Sequence, residues 1–329
     1  MFRIPARLGA VLCAALLPLA AHAEVTTLKL AHVAPPTSSY QVAAERLNAQ
    51  LKQLSGGTMQ IEIVPGGAMG GMGQLWAQLR AGTLDMHLID VGAVSVLKEA
   101  RMMQLVNMPF IFRDQAHWRA YLASPLFTEM MGEAEKAANI KYVGYLGDRP
   151  PRALTTQKTP VRNINDIKGL KIRTPAAPVY IEAFKAFGAT PTPIQPAEMY
   201  AALQSGLVDG QENGIVDVVA AGYVEVQKYF MPLDYIQSGI GVWISGKKWG
   251  ELTAQQQGWL LEAAKKADAL SRAAYDKEMA DAIAKAKAKG MVFVDIDRSG
   301  FEKAAAALVA AKDGKDWPAG LADKVRAIH

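Results

Sequence analysis

Cysteine is almost absent. The only one in the chain, Cys13, lies in an N-terminal apolar stretch, and without that stretch no thiol is left. This excludes thiol catalysis, disulfides and cysteine-ligated metal together, and it suits an oxidising compartment. Long apolar runs are equally scarce: the longest, Leu8 to Ala20, is shorter than the ~20 residues that span a bilayer. It follows Arg3 and Arg7 and ends at Ala21-His22-Ala23. That is the pattern of a secretory signal peptide, so residues 1–23 are read as a leader cleaved after Ala23, releasing a periplasmic chain with no membrane insertion of its own. Leu12 stands before Cys13, where lipidation requires a small residue, so a lipid anchor is not expected.

Blocks of like charge are missing too. The formal net charge of +5 falls to +3 without Arg3 and Arg7, and bases alternate with acids, as in Lys265, Lys266 and Asp268. Such spacing reads as solvated helix surface, so no nucleic-acid partner is expected. The remaining histidines, His32, His87, His117 and His329, have no paired ligand spacing. His87 shares a strand with Asp85 and Asp90; with one imidazole these read as polar residues at a solvent edge, and no metal is expected. There is no G-x-S-x-G, H-E-x-x-H or G-x-x-x-x-G-K-[ST]. The glycine-rich run from Gly66 to Gly73 lacks both the G-x-G-x-x-G spacing and a lysine, so no nucleotide or other cofactor is expected, and no base or nucleophile stands out for an enzyme.

What is present is an ordinary soluble composition, half apolar and one fifth charged, over a length at which single cores stop growing. Strand and helix patterns alternate from Thr27: Leu28 to Val33, a helix from Ser38 or Ser39 to Leu54, Met59 to Val64, a helix through Leu79, then Leu84 to Ile89. The same grammar restarts near Tyr142, with Lys141 to Leu146, Arg152 to Thr156 and Leu170 to Ile172, then helices over 178–187 and 196–205. This order predicts an α/β fold with two units, each with its own sheet flanked by helices. Thr253 and Gln256 form a capping box ahead of a helical pattern that continues to Lys289. It reads either as one helix tying both units together or as two helices with an unmarked break.

Open α/β sheets place ligands at the carboxyl ends of their strands. Arg173 ends one such strand, and its planar fork of donors matches a carboxylate in a way lysine cannot. Arg152 opens what reads as the neighbouring strand. The run Val208-Asp209-Gly210-Gln211-Glu212-Asn213 adds Asn213, which offers both a donor and an acceptor.

Four blocks carry a specific resemblance: Arg152-Ala153-Leu154-Thr155; Asp166 to Pro175; Tyr200 to Gly206; and Val208 to Asn213. In order and spacing they resemble the DctP-type extracytoplasmic solute receptors of TRAP transporters, over nearly the whole mature chain. The resemblance implies a two-lobed periplasmic binding protein fold, with a mixed sheet in each lobe and a long helix spanning both. Lobe I would hold residues 24–149 plus about 239–278, and lobe II 150–238 plus about 279–329. It further implies a small organic acid held by Arg173, with Arg152 and Asn213 assisting, a monomeric receptor, and TRAP membrane subunits as partner. Asp90, Tyr235 and Trp76 fall by position on the variable wall of the pocket. Gly71 and Pro196 replace an acidic and an aromatic residue of the sialic acid receptors, which disfavours that ligand. A sensor of the same fold, or an enzyme acting on organic acids, is the alternative. The expected crevice is positive, with nothing in the protein neutralising Arg173.

Overall fold

The computed structural model describes residues 25–329; the leader lies outside the described residues. The chain begins in one sheet with β1 (Thr26–Ala31), β2 (Met59–Val64), β3 (Met86–Asp90) and β4 (Ile140–Arg149). It crosses to a second for β5 (Ala153–Thr156), β6 (Lys171–Thr174), β7 (Thr190–Pro193), β8 (Gly210–Asn213) and β9 (Tyr229–Met231). After returning for β10 (Ser238–Ser245), it ends in the second sheet with β11 (Val292–Phe293). The strand orders are β2-β1-β3-β10-β4 and β11-β9-β5-β8-β6-β7. Both sheets are mixed. β10 runs antiparallel between β3 and β4, and β5 runs antiparallel between β8 and β9, while β1–β3 and β6–β8 pair in parallel.

Local chemistry accounts for these elements. In the helix Ser39–Leu54, the Ser38 hydroxyl caps the first turn by accepting from the Gln41 amide, and Tyr40, Ala43, Ala44, Leu47 and Leu51 recur at the three-to-four spacing of one buried face. Pro191 and Pro193 lie in β7, at the end of its sheet, where a strand lacking amide donors is tolerated. Two expectations need correction. The strand near Tyr142, read as opening the second unit, is β4 at the edge of the first sheet, and the change of sheet comes only after Arg149. His87 is not at a solvent edge: β3 is central and buried along its whole length. The His87 Nδ1 donates to the Ala31 carbonyl (3.0 Å), and its ring packs edge-on against Trp76. No cluster of metal-ligating side chains occurs among the described residues.

The C-terminal pattern is one continuous helix, Ala254–Ala288, of 35 residues, about 52 Å long at 1.5 Å per residue. Its capping box is formed, Thr253 Oγ1 accepting from the Gln256 amide and Gln256 Oε1 from the Thr253 amide. The first half lies close on β4, because β4 offers glycine there: a Cβ on Gly147, at φ +144°, would stand 2.6 Å from the Ser271 Cβ. The second half sends Ala282 and Ala286 into a core with Ala153, Phe230 and Met291. One rigid rod thus packs on both sheets. No helix among the described residues is long and apolar enough to cross a membrane.

Burial lowers the His87 pKa from its ordinary value of 6.5 to about 4. The unfolded chain therefore binds the extra proton first, and stability falls as pH drops from about 6.5 towards 4, by up to about 3 kcal/mol from this group. Urea unfolding across that range should show a shallower pH dependence in His87→Leu than in the parent.

Candidate functional site

The strand ends that face the gap between the sheets carry most of the charge found there. Asp90 ends β3, Arg149 ends β4, Asn213 ends β8, and Arg173 is the penultimate residue of β6. Arg152 stands just before β5, at the same end, since β5 runs antiparallel to β8 with Ala153 opposite Asn213. All five line one cavity of about 130 Å³, together with apolar and small polar groups including Tyr40, Ser95, Asn107, Tyr180 and Tyr223. The sequence reading made the strands of Arg152 and Arg173 neighbours, and this needs correction: β8 lies between β5 and β6, so both guanidiniums flank Asn213.

The three arginines differ in what surrounds them. Arg152 is gripped by Glu212: Nε and Nη2 donate to its two carboxylate oxygens, the second at 2.5 Å, and Nη2 donates also to the Glu212 carbonyl (2.9 Å). Burial alone would lower its pKa, but the Glu212 charge outweighs that and holds it well above the usual value. Arg149 donates through Nη2 to Asp217 Oδ2 (2.5 Å) and Asn213 Oδ1 (3.2 Å), and its Nη1 lies 3.5 Å from Asp90 Oδ2. Arg173 has no carboxylate. Its Nε and Nη2 both donate to the Ile194 carbonyl (2.8 and 2.6 Å), while Nη1 donates to nothing among the described residues. Only 3% of Arg173 is exposed, and burial brings its pKa down to about 10, leaving it charged at neutral pH.

The remaining expectations divide. Asp90 lines the cavity and caps the turn that follows it, Oδ1 accepting from the Gly92 amide (3.0 Å). Asn213 also lines the cavity, but its polar groups are engaged internally, Nδ2 donating to Gln211 Oε1 (2.7 Å) and Oδ1 accepting from Arg149. Tyr235 is not on the wall. It lies behind it, buried among Phe184 and Phe187, and its hydroxyl donates to Glu212 Oε2 (2.5 Å), steadying the partner of Arg152. Trp76 is in the core of the first sheet, against His87 and Trp243, away from the cavity; its spacing on an apolar helix face placed it there. Nor is the crevice uniformly positive, because Asp90 and Asp217 line it as well.

Sequence reading missed Arg149, Glu212 and Asp217. Arg149 had a signal: Arg149-Pro150-Pro151-Arg152 forces extended, polyproline-like backbone, in which residues three apart project to one side. Asp217 had none, since only the fold brings it both to Arg149 and to the Ser39 hydroxyl (2.8 Å) on a helix of the first sheet. With Glu212 buried at the base of this network, Glu212→Gln should destabilise the protein by about 3–5 kcal/mol by leaving Arg152 unpaired, measured as a lower urea midpoint at unchanged slope.

The sequence model of the bacterial extracellular solute-binding proteins, family 7 (DctP), matches residues 30–313. A solute-binding protein of Roseobacter denitrificans is 30% identical over 299 residues, covering 91% of this chain and 90% of that one. The 2,3-diketo-L-gulonate-binding periplasmic protein of Escherichia coli is 30% identical over 303 residues, covering 92% and 91%. Among solved structures, a TRAP periplasmic solute-binding protein from Polaromonas, bound to D-erythronate, superposes with a TM-score of 0.85 at 27% identity, covering 92% of this chain and 99% of that one.

Proposed function

This chain belongs to the bacterial extracellular solute-binding proteins of family 7, the receptors of TRAP transporters, and from that premise we propose that it captures a small organic carboxylate in the cavity between its sheets and hands it, chemically unchanged, to TRAP membrane subunits. One observation carries the reading: Arg173 is a buried guanidinium on the cavity wall that donates only to a backbone carbonyl and pairs with no carboxylate among the described residues. A buried cation without an anion is costly, and a ligand carboxylate removes that cost through a bidentate, charge-assisted pair. Arg152, held by Glu212, and Asn213, held by Arg149, are the fixed flanks against which the carboxylate is oriented.

The two sheets support a division into lobe I (24–149 plus about 239–278) and lobe II (150–238 plus about 279–329), joined by the long helix. A ligand touching both lobes favours the closed form to the extent that it binds that form better. The protein works as a monomer in the periplasm, with its leader cleaved after Ala23. Its cavity volume of about 130 Å³ is comparable to the ~150 Å³ that admits benzene, so the ligand is small.

The test is calorimetry with whichever acid raises the melting temperature most in a screen of an organic-acid library. Arg173→Ala is expected to weaken that acid by about 2–5 kcal/mol, and Arg173→Lys to restore only part of the loss, because lysine keeps the charge without the fork. Unchanged affinity in Arg173→Ala removes the basis of the proposal.

A further inference from the structure

We infer that Asp217 is a positioning residue of capture: it fastens one side of the cavity to the other, and so sets how slowly any bound acid leaves without choosing among acids. The inference rests on the receptor reading above and concerns closure, not the identity of the ligand. Asp217 is buried on the helix Ile215–Ala220, which follows β8 of the second sheet. Its two carboxylate oxygens are divided. Oδ1 accepts from the Ser39 hydroxyl (2.8 Å), at the start of the helix Ser39–Leu54 that packs on the first sheet, and Oδ2 accepts from Arg149 Nη2 (2.5 Å), at the end of β4. At the end of the same short helix, the Ala220 carbonyl accepts from Thr37 Oγ1 (2.8 Å). The Arg149 guanidinium is in turn backed by the ring of Tyr40, the residue after Ser39, at 5.1 Å.

Two features make these bonds a fastening. The first is that the buried apolar residues of the two helices do not share a core: Tyr40, Ala43 and Ala44 belong to the large one, whereas Ile215 and Val218 belong to a separate one with Ala282 and Ala286. Polar bonds therefore make the join. The second feature is position. Ser38 and Tyr40 line the ligand cavity together with Asp217, while Thr37 and Ser39, with Val216 and Ala220, line a second cavity of about 450 Å³. The contact is thus a partition between two cavities, and its two sides can part without a packed core being disrupted. Neither donor hydroxyl lines the ligand cavity, so each acts on capture only through the relation of the two sides. A bond made in the closed form and lost in the open one stabilises the closed form whatever acid is inside. Its loss appears as faster release, because the acid enters the open form before these bonds are made.

The test removes the two hydroxyls and leaves every side chain on the ligand cavity in place: Thr37→Val and Ser39→Ala, singly and together, in the chain expressed from Glu24. The probes are D-erythronate, lactate, succinate and benzoate, with the best binder of the organic-acid screen, and release of each one that binds the parent is followed by stopped flow. In the double variant every such acid should leave roughly tenfold faster, the worth of one hydrogen bond to a charged group. Association should stay within about twofold of the parent, and the ranking of acids should not change. Spin labels on Lys52→Cys and Leu207→Cys, both exposed and the only thiols without the leader, should show the closed-form distance losing population in the same variant. Asp217→Ala should speed release at least as much, and adding Ser39→Ala to it should change nothing further, a coupling that a general loss of stability does not produce. If Asp217→Ala does not fold, the hydroxyl variants decide alone. Unchanged release in Thr37→Val/Ser39→Ala, or an altered ranking of acids, overturns the inference. If Arg173→Ala still abolishes binding in that case, the receptor reading survives; a parent that binds no organic acid of the screen overturns both.

Discussion

The site depends on one uncompensated charge. Three guanidiniums and three carboxylates meet near the gap between the sheets, so the group is formally neutral, yet its pairing is uneven. Glu212 is spent on Arg152, and Asp217 and Asp90 flank Arg149, leaving Arg173 to a single backbone carbonyl. A protein that needed only stability would pair or replace such a group, since a buried charge without a partner is among the costliest arrangements available. In the proposed receptor, keeping it leaves the cavity preorganised for an anion.

The fold bears that cost through its topology. Parallel and antiparallel pairings are mixed so that the carboxyl ends of β3, β4, β6 and β8 and the start of β5 face the same gap. The crossing from β4 to β5 is two prolines between two arginines, and it places a charged side chain at each side of the change of sheet. The long helix packs small residues on β4 and then on the second core, so its stiffness ties the two halves without closing the gap. Direct contacts also cross between them: Ser39 and Thr37 donate to Asp217 and to the Ala220 carbonyl, both at 2.8 Å. Asp217 is thereby shared between a helix of the first sheet and the Arg149 guanidinium, which couples the wall of the cavity to the relation between its two sides.

How much of this was legible in the sequence follows from the range of the interactions involved. Strands, helices, caps and breaks are set by patterns within a dozen residues, and Ser38 and Thr253 with Gln256 marked theirs correctly. Arg173 was recognisable because its residue type, its place at a strand end and the surrounding block all agree. Sheet membership was less visible: the strand near Tyr142 has the same local pattern whichever sheet it joins, and only pairing with β10 assigns it to the first.

The sequence alone determined the α/β alternation, the two-unit plan, the family resemblance and the cationic group at position 173. Tertiary structure decided which charges cancel. That Glu212 takes Arg152, that Asp217 and Asp90 bracket Arg149, and that Tyr235 and Trp76 lie behind or beyond the wall instead of on it are outcomes of contacts between distant segments. The energy of a buried charge depends on neighbours within a few ångströms in space, and separation along the chain does not reveal them.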